Sequence, residues 1–274
     1  MKDNRGNAVV LGASREGGTG WAISEAMTAS SLHVTVAARS QAGIEKLATK
    51  IGGTAIVCDA TVERDIATML DAVVAERGPI DAAVLVAGAG INGTIDGISA
   101  TDLQHALALN FFAPVYFVRH VARRMRDGGS IVLMTSIAAT NAWPGYFAYG
   151  SAKAAVHTLV KYAALEYAPR GIRVNAVCPG PIETAEASVR LGKNPHLAAA
   201  LAHEVPLQRR ASTGEVAEAI VWFATHAHCV TGEWLHVDGG LHLRRPPFPD
   251  ELEAAMQKGD RQAAKPSSGE TNRK

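Results

Sequence analysis

Short apolar runs alternate with longer stretches of helical period along most of the chain. Ala8–Leu11, His33–Ala38, Thr54–Cys58, Ala82–Ala87, Ser130–Thr135 and Ile172–Val177 read as strands. Each is short, rich in small or β-branched residues and bounded by Gly, Pro or polar positions. Between them the pattern predicts helices over Trp21–Ser30, Gln41–Ile51, Val62–Glu76, Thr101–Arg126 and Tyr149–Ala168, then Glu215–Thr225 and a last strand over Glu233–Val237. Unbroken strand–helix alternation predicts a parallel sheet with right-handed crossovers, covered by helices on both faces. A strand buried on both faces should be apolar throughout, and Ala82-Ala-Val-Leu-Val-Ala87 is. The expected fold is a seven-stranded, doubly wound α/β domain.

No repeat or linker divides the chain before Gly240, so residues 1–243 are expected to form one domain. From Arg244 the pattern changes to prolines, alternating charge and Lys265-Pro-Ser-Ser-Gly269, which predicts a polar, flexible tail over 244–274 with a short helix near Asp250–Gln257.

Composition narrows the function. Lys+Arg 27 against Asp+Glu 26 gives a net charge of +1, which argues against a nucleic-acid binder. The basic cluster Arg119, Arg123, Arg124 and Arg126 falls late in a predicted helix, where positive charge suits the helix dipole and solvent. Cys58, Cys178 and Cys229 lie far apart and form no Cys-x-x-Cys pair, which fits free thiols in a reducing cytoplasm. Gly128–Ala152 carries no charged side chain, yet its Pro144, glycines and polar residues read as strand, loop and helix start, so no membrane span is expected. His226-Ala-His228 lacks a third ligand at metal spacing, and no metal is expected.

The chemistry gathers at predicted strand ends. Strand one ends at Gly12, followed by Ala-Ser-Arg-Glu-Gly-Gly-Thr-Gly20 and a helix. Glycines there let the backbone approach a pyrophosphate, and the helix N-terminus offers unpaired N–H groups to the anion. At the end of strand two, where an acidic residue would hold the ribose of NAD, the chain has Arg39, with Arg15 available from the first loop. Cations suit a 2′-phosphate, so NADP(H) is expected. Tyr149 and Lys153 lie one helical turn apart, on one face. A neighbouring ammonium is expected to lower the phenol pKa from about 10 toward the range useful for proton transfer. Ser136, at the end of strand five, can hold a carbonyl oxygen.

Over residues 7–240 the chain resembles the short-chain dehydrogenases/reductases, in the branch of the 3-oxoacyl thioester ketoreductases. The matching residues are Gly12-Ala-Ser-Arg15, Gly18-Thr-Gly20, Asp59, Ala87-Gly88, Asn110, Ser136, Tyr149-Gly-Ser-Ala-Lys153, Val174-Asn175, Pro179-Gly180 with Thr184, and Asp238-Gly-Gly240. The resemblance implies a Rossmann-type domain in which Ser136 orients the carbonyl and Tyr149 exchanges the proton. Lys153 would hold the ribose, and Asn110 would fix a relay water. Gly12, Ser14, Arg15, Gly18 and Gly20 would cradle the phosphates, Asp59 would touch adenine, and Ala87 and Gly88 would line the cofactor. Pro179, Gly180, Ile182 and Thr184 would hold the nicotinamide carboxamide, and 184–206 would form a lid over the substrate. A homotetramer or homodimer built through the two long helices is also implied.

Three features depart from the family pattern. The glycine loop is two residues longer, Leu85-Val86 replaces the usual Asn-Asn, and Tyr146 adds a Tyr-x6-Lys spacing to the same lysine. The loop and that spacing resemble the enoyl-thioester reductases, so C=C reduction by Tyr146 and Lys153 stands as the alternative. A non-catalytic NADP-binding sensor or scaffold is the competing class. Ser136, Asn110 and Tyr149 together favour interconversion of a carbonyl and a secondary alcohol in a small-molecule substrate.

Overall fold

The computed structural model describes residues 5–245, 250–251, 253–254 and 256–257. Seven parallel strands form the sheet: β1 (Gly6–Leu11), β2 (Leu32–Ala38), β3 (Thr54–Val57), β4 (Ile80–Leu85), β5 (Met125–Met134), β6 (Arg173–Pro179) and the last strand, β9 (Trp234–Val237). Their order is β3-β2-β1-β4-β5-β6-β9, so the winding reverses between β1 and β4. Ligands of such sheets bind at the carboxyl ends beside that reversal. A two-residue pair, β7 (Ile182–Glu183) with β8 (Ala211–Ser212), stands apart from the main sheet.

Helices cover both faces because the strands are apolar on both. α1 (Thr19–Ala29), α2 (Gln41–Ile51) and α9 (Thr213–Thr225) pack on one face through Ile23, Leu47 and Ile220. α3 (Glu63–Arg77), α5 (Ala113–Arg124) and α6 (Phe147–Tyr167) cover the other through Ile66, Phe117 and Val156. Burying one such side chain contributes about 1.5–3 kcal/mol. Among the described residues no helix is long and apolar enough to cross a membrane.

Three differences from the sequence expectation have local causes. β4 ends at Leu85 rather than Ala87, because the N–H groups of both Val86 and Ala87 turn onto the Leu11 carbonyl, at 2.8 and 3.1 Å. The helix expected over Thr101–Arg126 is three pieces: α4 (Ala100–Leu107), a π turn over Ala108–Phe112, and α5. Pro114 has no N–H to donate to the Asn110 carbonyl, so the α ladder cannot pass through at that point. The helix then stops at Arg124, and Met125 is extended, so β5 starts five residues before the expected Ser130. Arg126 therefore lies on a strand rather than in the expected helical cluster. Arg119, Arg124 and Arg126 pair with Glu63, Asp71 and Asp81.

The segment expected as a lid folds into α7 (Ala185–Gly192) and α8 (Pro195–Glu204), the second capped by the Asn194 side chain on Leu197 N–H at 3.0 Å. Most of the 244–274 tail lies outside the described residues; Asp250, Glu251, Glu253, Ala254, Met256 and Gln257 are helical, as the pattern there predicted.

Candidate active site

The phosphate loop forms where β1 and β4 separate. Gly12 has φ +109°, and a Cβ on it would sit 2.4 Å from the Ala87 nitrogen, so only glycine lets the two strand ends meet. Gly18 N–H closes a turn on the Arg15 carbonyl at 3.0 Å, and α1 begins at Thr19, just before Gly20. No side chain caps that helix and its first turn holds no acid, which leaves N–H groups facing the loop for an anion. Ser14 is half-buried behind the loop, while the Arg15 guanidinium pairs with Glu186 of α7. Arg39 is exposed at the end of β2. It faces Asp59, whose carboxylate accepts the Thr61 N–H and hydroxyl at 2.9 and 2.7 Å. Burial pushes that carboxyl up, but Thr61 and the Arg39 charge outweigh it and hold it below the ordinary value.

At the middle of the sheet, Ser136 follows the end of β5 and starts a 3-10 turn over Ile137–Ala139. Its oxygen accepts Ala138 N–H at 3.2 Å, which leaves the hydroxyl proton free to donate. α6 begins at Phe147 and brings Tyr149 and Lys153 onto the same edge. Lys153 is 2 % exposed, donates to the Met134 carbonyl at 3.0 Å, and lies 5.7 Å from the Tyr149 ring centre. Asn110, fully buried in the π turn, donates to the Ala89 and Ala106 carbonyls and accepts Ala89 N–H at 3.3 Å. It ties the loop after β4 to the broken helix. Gly88 lies at the convergence: a Cβ there would meet both Asn110 Oδ1 and Lys153 Nζ at 3.1 Å.

The protonation states differ from the sequence expectation. Burial pushes Lys153 down to about 8. Burial also raises the Tyr149 phenol, opposed by its hydrogen bond with Ser136, and the lysine does not lower it. The low-dielectric setting disfavours both charged forms, and the ammonium is directed at Met134 rather than at the phenol oxygen. Tyr146 lies outside this cluster. It precedes α6, is 36 % exposed, and meets Tyr149 edge-on with ring centres 6.3 Å apart.

The other wall is the end of β6. Pro179 is its last residue, and Gly180 N–H bonds the Val237 carbonyl at 3.2 Å. Ile182 lies on β7, and Thr184 accepts Ala187 N–H at 3.1 Å, starting α7. The predicted site residues thus come from the carboxyl ends of the strands and the loops that leave them, from the π turn (Asn110) and from the first turns of α6 (Tyr149 and Lys153).

A family model described as enoyl-(acyl carrier protein) reductase matches residues 12–242. The chain belongs to the short-chain dehydrogenase/reductase family. Within that family it is 32% identical over 189 residues to a glucose 1-dehydrogenase of Gluconobacter oxydans, covering 68% of this chain and 71% of that one. It is 31% identical over 251 residues to an NADH-dependent enoyl-[acyl-carrier-protein] reductase of Rhizobium meliloti, covering 88% and 91%. A variant of the actinorhodin polyketide ketoreductase solved with NADPH superposes with TM-score 0.83 at 26% identity, over 89% of this chain and all of that one. The chain is therefore an oxidoreductase whose relatives include both carbonyl and C=C reductases.

Behind the site of this dehydrogenase/reductase lies a group the sequence reading missed. His157, on α6 one turn beyond Lys153, stacks on Trp234 at 4.3 Å and 5° and contacts the Thr135 hydroxyl at 3.1 Å. The signal was there in the i, i+4 row Lys153, His157, Lys161. Burial, then the nearby His236, Lys161 and Lys153, push His157 down to about 4. Between pH 6.5 and about 4 the unfolded chain binds a proton that the folded chain refuses, so stability falls on acidification. The loss is expected to be on the order of 1–2 kcal/mol once solvent screening near the sheet edge is discounted. Urea unfolding at pH 7 and pH 4.5 should show a smaller difference for His157→Gln than for the unmodified chain; an identical difference would remove His157 as the cause.

Proposed function

We propose that this chain is an NADP(H)-dependent oxidoreductase interconverting a carbonyl and a secondary alcohol, with Tyr149 as general acid/base. The observation that carries the reading is the convergence of half-buried Ser136 and Tyr149 with buried Lys153 at one sheet edge, while Tyr146 stands 36% exposed ahead of α6. In the reducing direction Ser136 donates its hydroxyl proton to the carbonyl oxygen and holds it. Tyr149 then delivers a proton to the same oxygen, which holds charge only as the hydride arrives. Lys153, which burial lowers to about 8, would hold the cofactor ribose beside the phenol. A bound nicotinamide supplies the hydride, or accepts it in the reverse direction; the protein supplies position and protons.

The residues fit such a cofactor. Glycine at 12 lets the ends of β1 and β4 meet beside the loop, glycine at 88 lies against Asn110 and Lys153, and the first turn of α1 is uncapped. Asp59 lies at the adenine end, Ala87 and Gly88 along the middle, and Pro179, Gly180, Ile182 and Thr184 at the carboxamide end. Arg39 and Arg15 favour NADP(H), as does the NADPH of the actinorhodin ketoreductase structure. Arg39→Asp is expected to weaken NADPH binding about 10- to 100-fold, the worth of a charge-assisted hydrogen bond, and to leave NADH within a few-fold. Titration of cofactor fluorescence reads both; equal losses for the two cofactors would remove Arg39 from 2′-phosphate recognition.

Enoyl-thioester reduction by Tyr146 and Lys153 is the second reading, favoured by the description of the matching family model and by the Rhizobium relative. A panel of ketones, 3-oxoacyl thioesters and enoyl thioesters separates the two. NADPH oxidation is expected with the carbonyl compounds. Tight NADPH binding without turnover on any of them would instead favour the sensor class.

Assembly through α5 and α6 is supported by Phe112, Tyr162 and Leu165, which stand 43%, 62% and 76% exposed. The three free thiols, two of them buried, suit a reducing cytoplasm.

A further inference from the structure

The phosphate loop and the lid touch. Arg15 pairs with Glu186, in the first turn of α7, and Ala185 N–H donates to the Gly17 carbonyl at 3.2 Å. The fit is close, since a Cβ on Gly17 would come within 2.8 Å of Ala185 Cβ. Arg15, Glu16 and Gly17 span the part of the loop lengthened by two residues, so the longer loop is what reaches the lid. Glu16 in turn pairs with Lys46 of α2 at 2.5 Å, which fixes the loop's other side. At the far end of the lid, Arg244 donates to the His203 and Glu204 carbonyls at 3.4 and 3.1 Å, and its own carbonyl accepts from Asn141 at 2.9 Å. The lid is thus fastened at one end to the loop preceding Tyr149 and at the other to a cation of the phosphate loop.

The two fastenings differ in kind. The Arg244 end rests on the His203 and Glu204 backbone carbonyls, with the Glu204 carboxylate 3.7 Å away as a longer ion pair. At the Glu186 end, beside the Ala185–Gly17 backbone bond, a carboxylate sits on a guanidinium whose fork also matches two oxygens of a phosphate, and a phosphomonoester brings more charge to it than a carboxylate does. We propose that Glu186 competes with a cofactor phosphate for Arg15, so that loading the cofactor releases the first turn of α7 from the phosphate loop. Glu186 is then a positioning residue that couples cofactor binding to the lid. The inference rests on the reading of Arg15 as a phosphate ligand.

Both partners are largely exposed, and such a pair is worth at most about 1 kcal/mol, a factor of about five in affinity. Cofactor fluorescence titrations on the full chain therefore use Glu186→Gln, Arg15→Gln and the double variant. Glu186→Gln should tighten binding two- to fivefold at low salt, less at high salt, and not at all in the Arg15→Gln background; Glu186→Asp should return toward the unmodified value. Tightening for NADPH alone identifies the 2′-phosphate as the competitor, and tightening for both cofactors identifies the pyrophosphate. Amide exchange over 185–192 should rise when NADPH saturates the unmodified chain and start high in Glu186→Gln. Unchanged or weakened binding in Glu186→Gln, equal tightening without Arg15, or slower exchange on loading would overturn the proposal. If Arg15→Gln weakens binding while Glu186→Gln does nothing, only the competition falls; if Arg15→Gln changes neither cofactor, the reading of Arg15 as a phosphate ligand falls with it.

Discussion

Tyr149→Phe is expected to lower turnover by about a hundred- to ten-thousandfold while NADPH still binds within a few-fold of the unmodified chain. The substitution removes one hydroxyl and keeps the ring, so the edge contact with Tyr146 and the packing beside Lys153 survive. What is lost is the phenol hydrogen-bonded to Ser136, and with it the proton proposed to reach the carbonyl oxygen. The raised phenol pKa sharpens the expectation: at neutral pH Tyr149 is protonated and ready to donate. Steady-state rates beside cofactor titrations check both halves. A variant that lost NADPH binding together with activity would point to a collapsed site rather than to missing chemistry.

Gly12→Ala should give the largest loss of stability. The residue sits at φ +109°, and the added methyl would lie 2.4 Å from the backbone nitrogen of Ala87, which cannot move without parting β1 from β4. Strain at that φ and overpacking each cost about 1–3 kcal/mol, so a loss of about 3–5 kcal/mol is expected, with cofactor binding abolished. Gly52→Ala is the control: its φ is +60° but nothing lies within 4 Å, so only the left-handed backbone penalty of about 1 kcal/mol applies. Urea unfolding of the two variants measures the difference. Equal losses would mean that backbone conformation alone, and not the approach of β4, requires glycine at 12.

The central sheet was legible because each strand is apolar on both faces, and a run such as Ala82–Leu85 has no other stable place in a folded chain. The strand ends then carried the site: Gly12, Gly88, Ser136 and Pro179 sit where their strands stop. The broken helix was not legible from its pattern, since α4, the π turn and α5 share one apolar stripe. Pro114 marked the place, but the consequence depends on Asn110 turning its amide onto Ala89, a residue far away in sequence. The Tyr149–Lys153 spacing gave proximity correctly and the protonation wrongly, because helical spacing says nothing of burial, and burial dominates both groups. The partner of Arg15 was hidden for the same kind of reason. Glu186 stands well over a hundred residues on, and only the folded lid returns it to the phosphate loop.

We propose that Tyr149, and not Tyr146, delivers the proton. The most direct test is the rate of NADPH oxidation by Tyr149→Phe and Tyr146→Phe, measured side by side on whichever carbonyl or enoyl substrate the unmodified chain turns over fastest. A loss of at least about a hundredfold is expected for Tyr149→Phe and a rate within about threefold for Tyr146→Phe. The reverse order, with Tyr146→Phe inactive, Tyr149→Phe still turning over and an enoyl thioester as the fastest substrate, would contradict it.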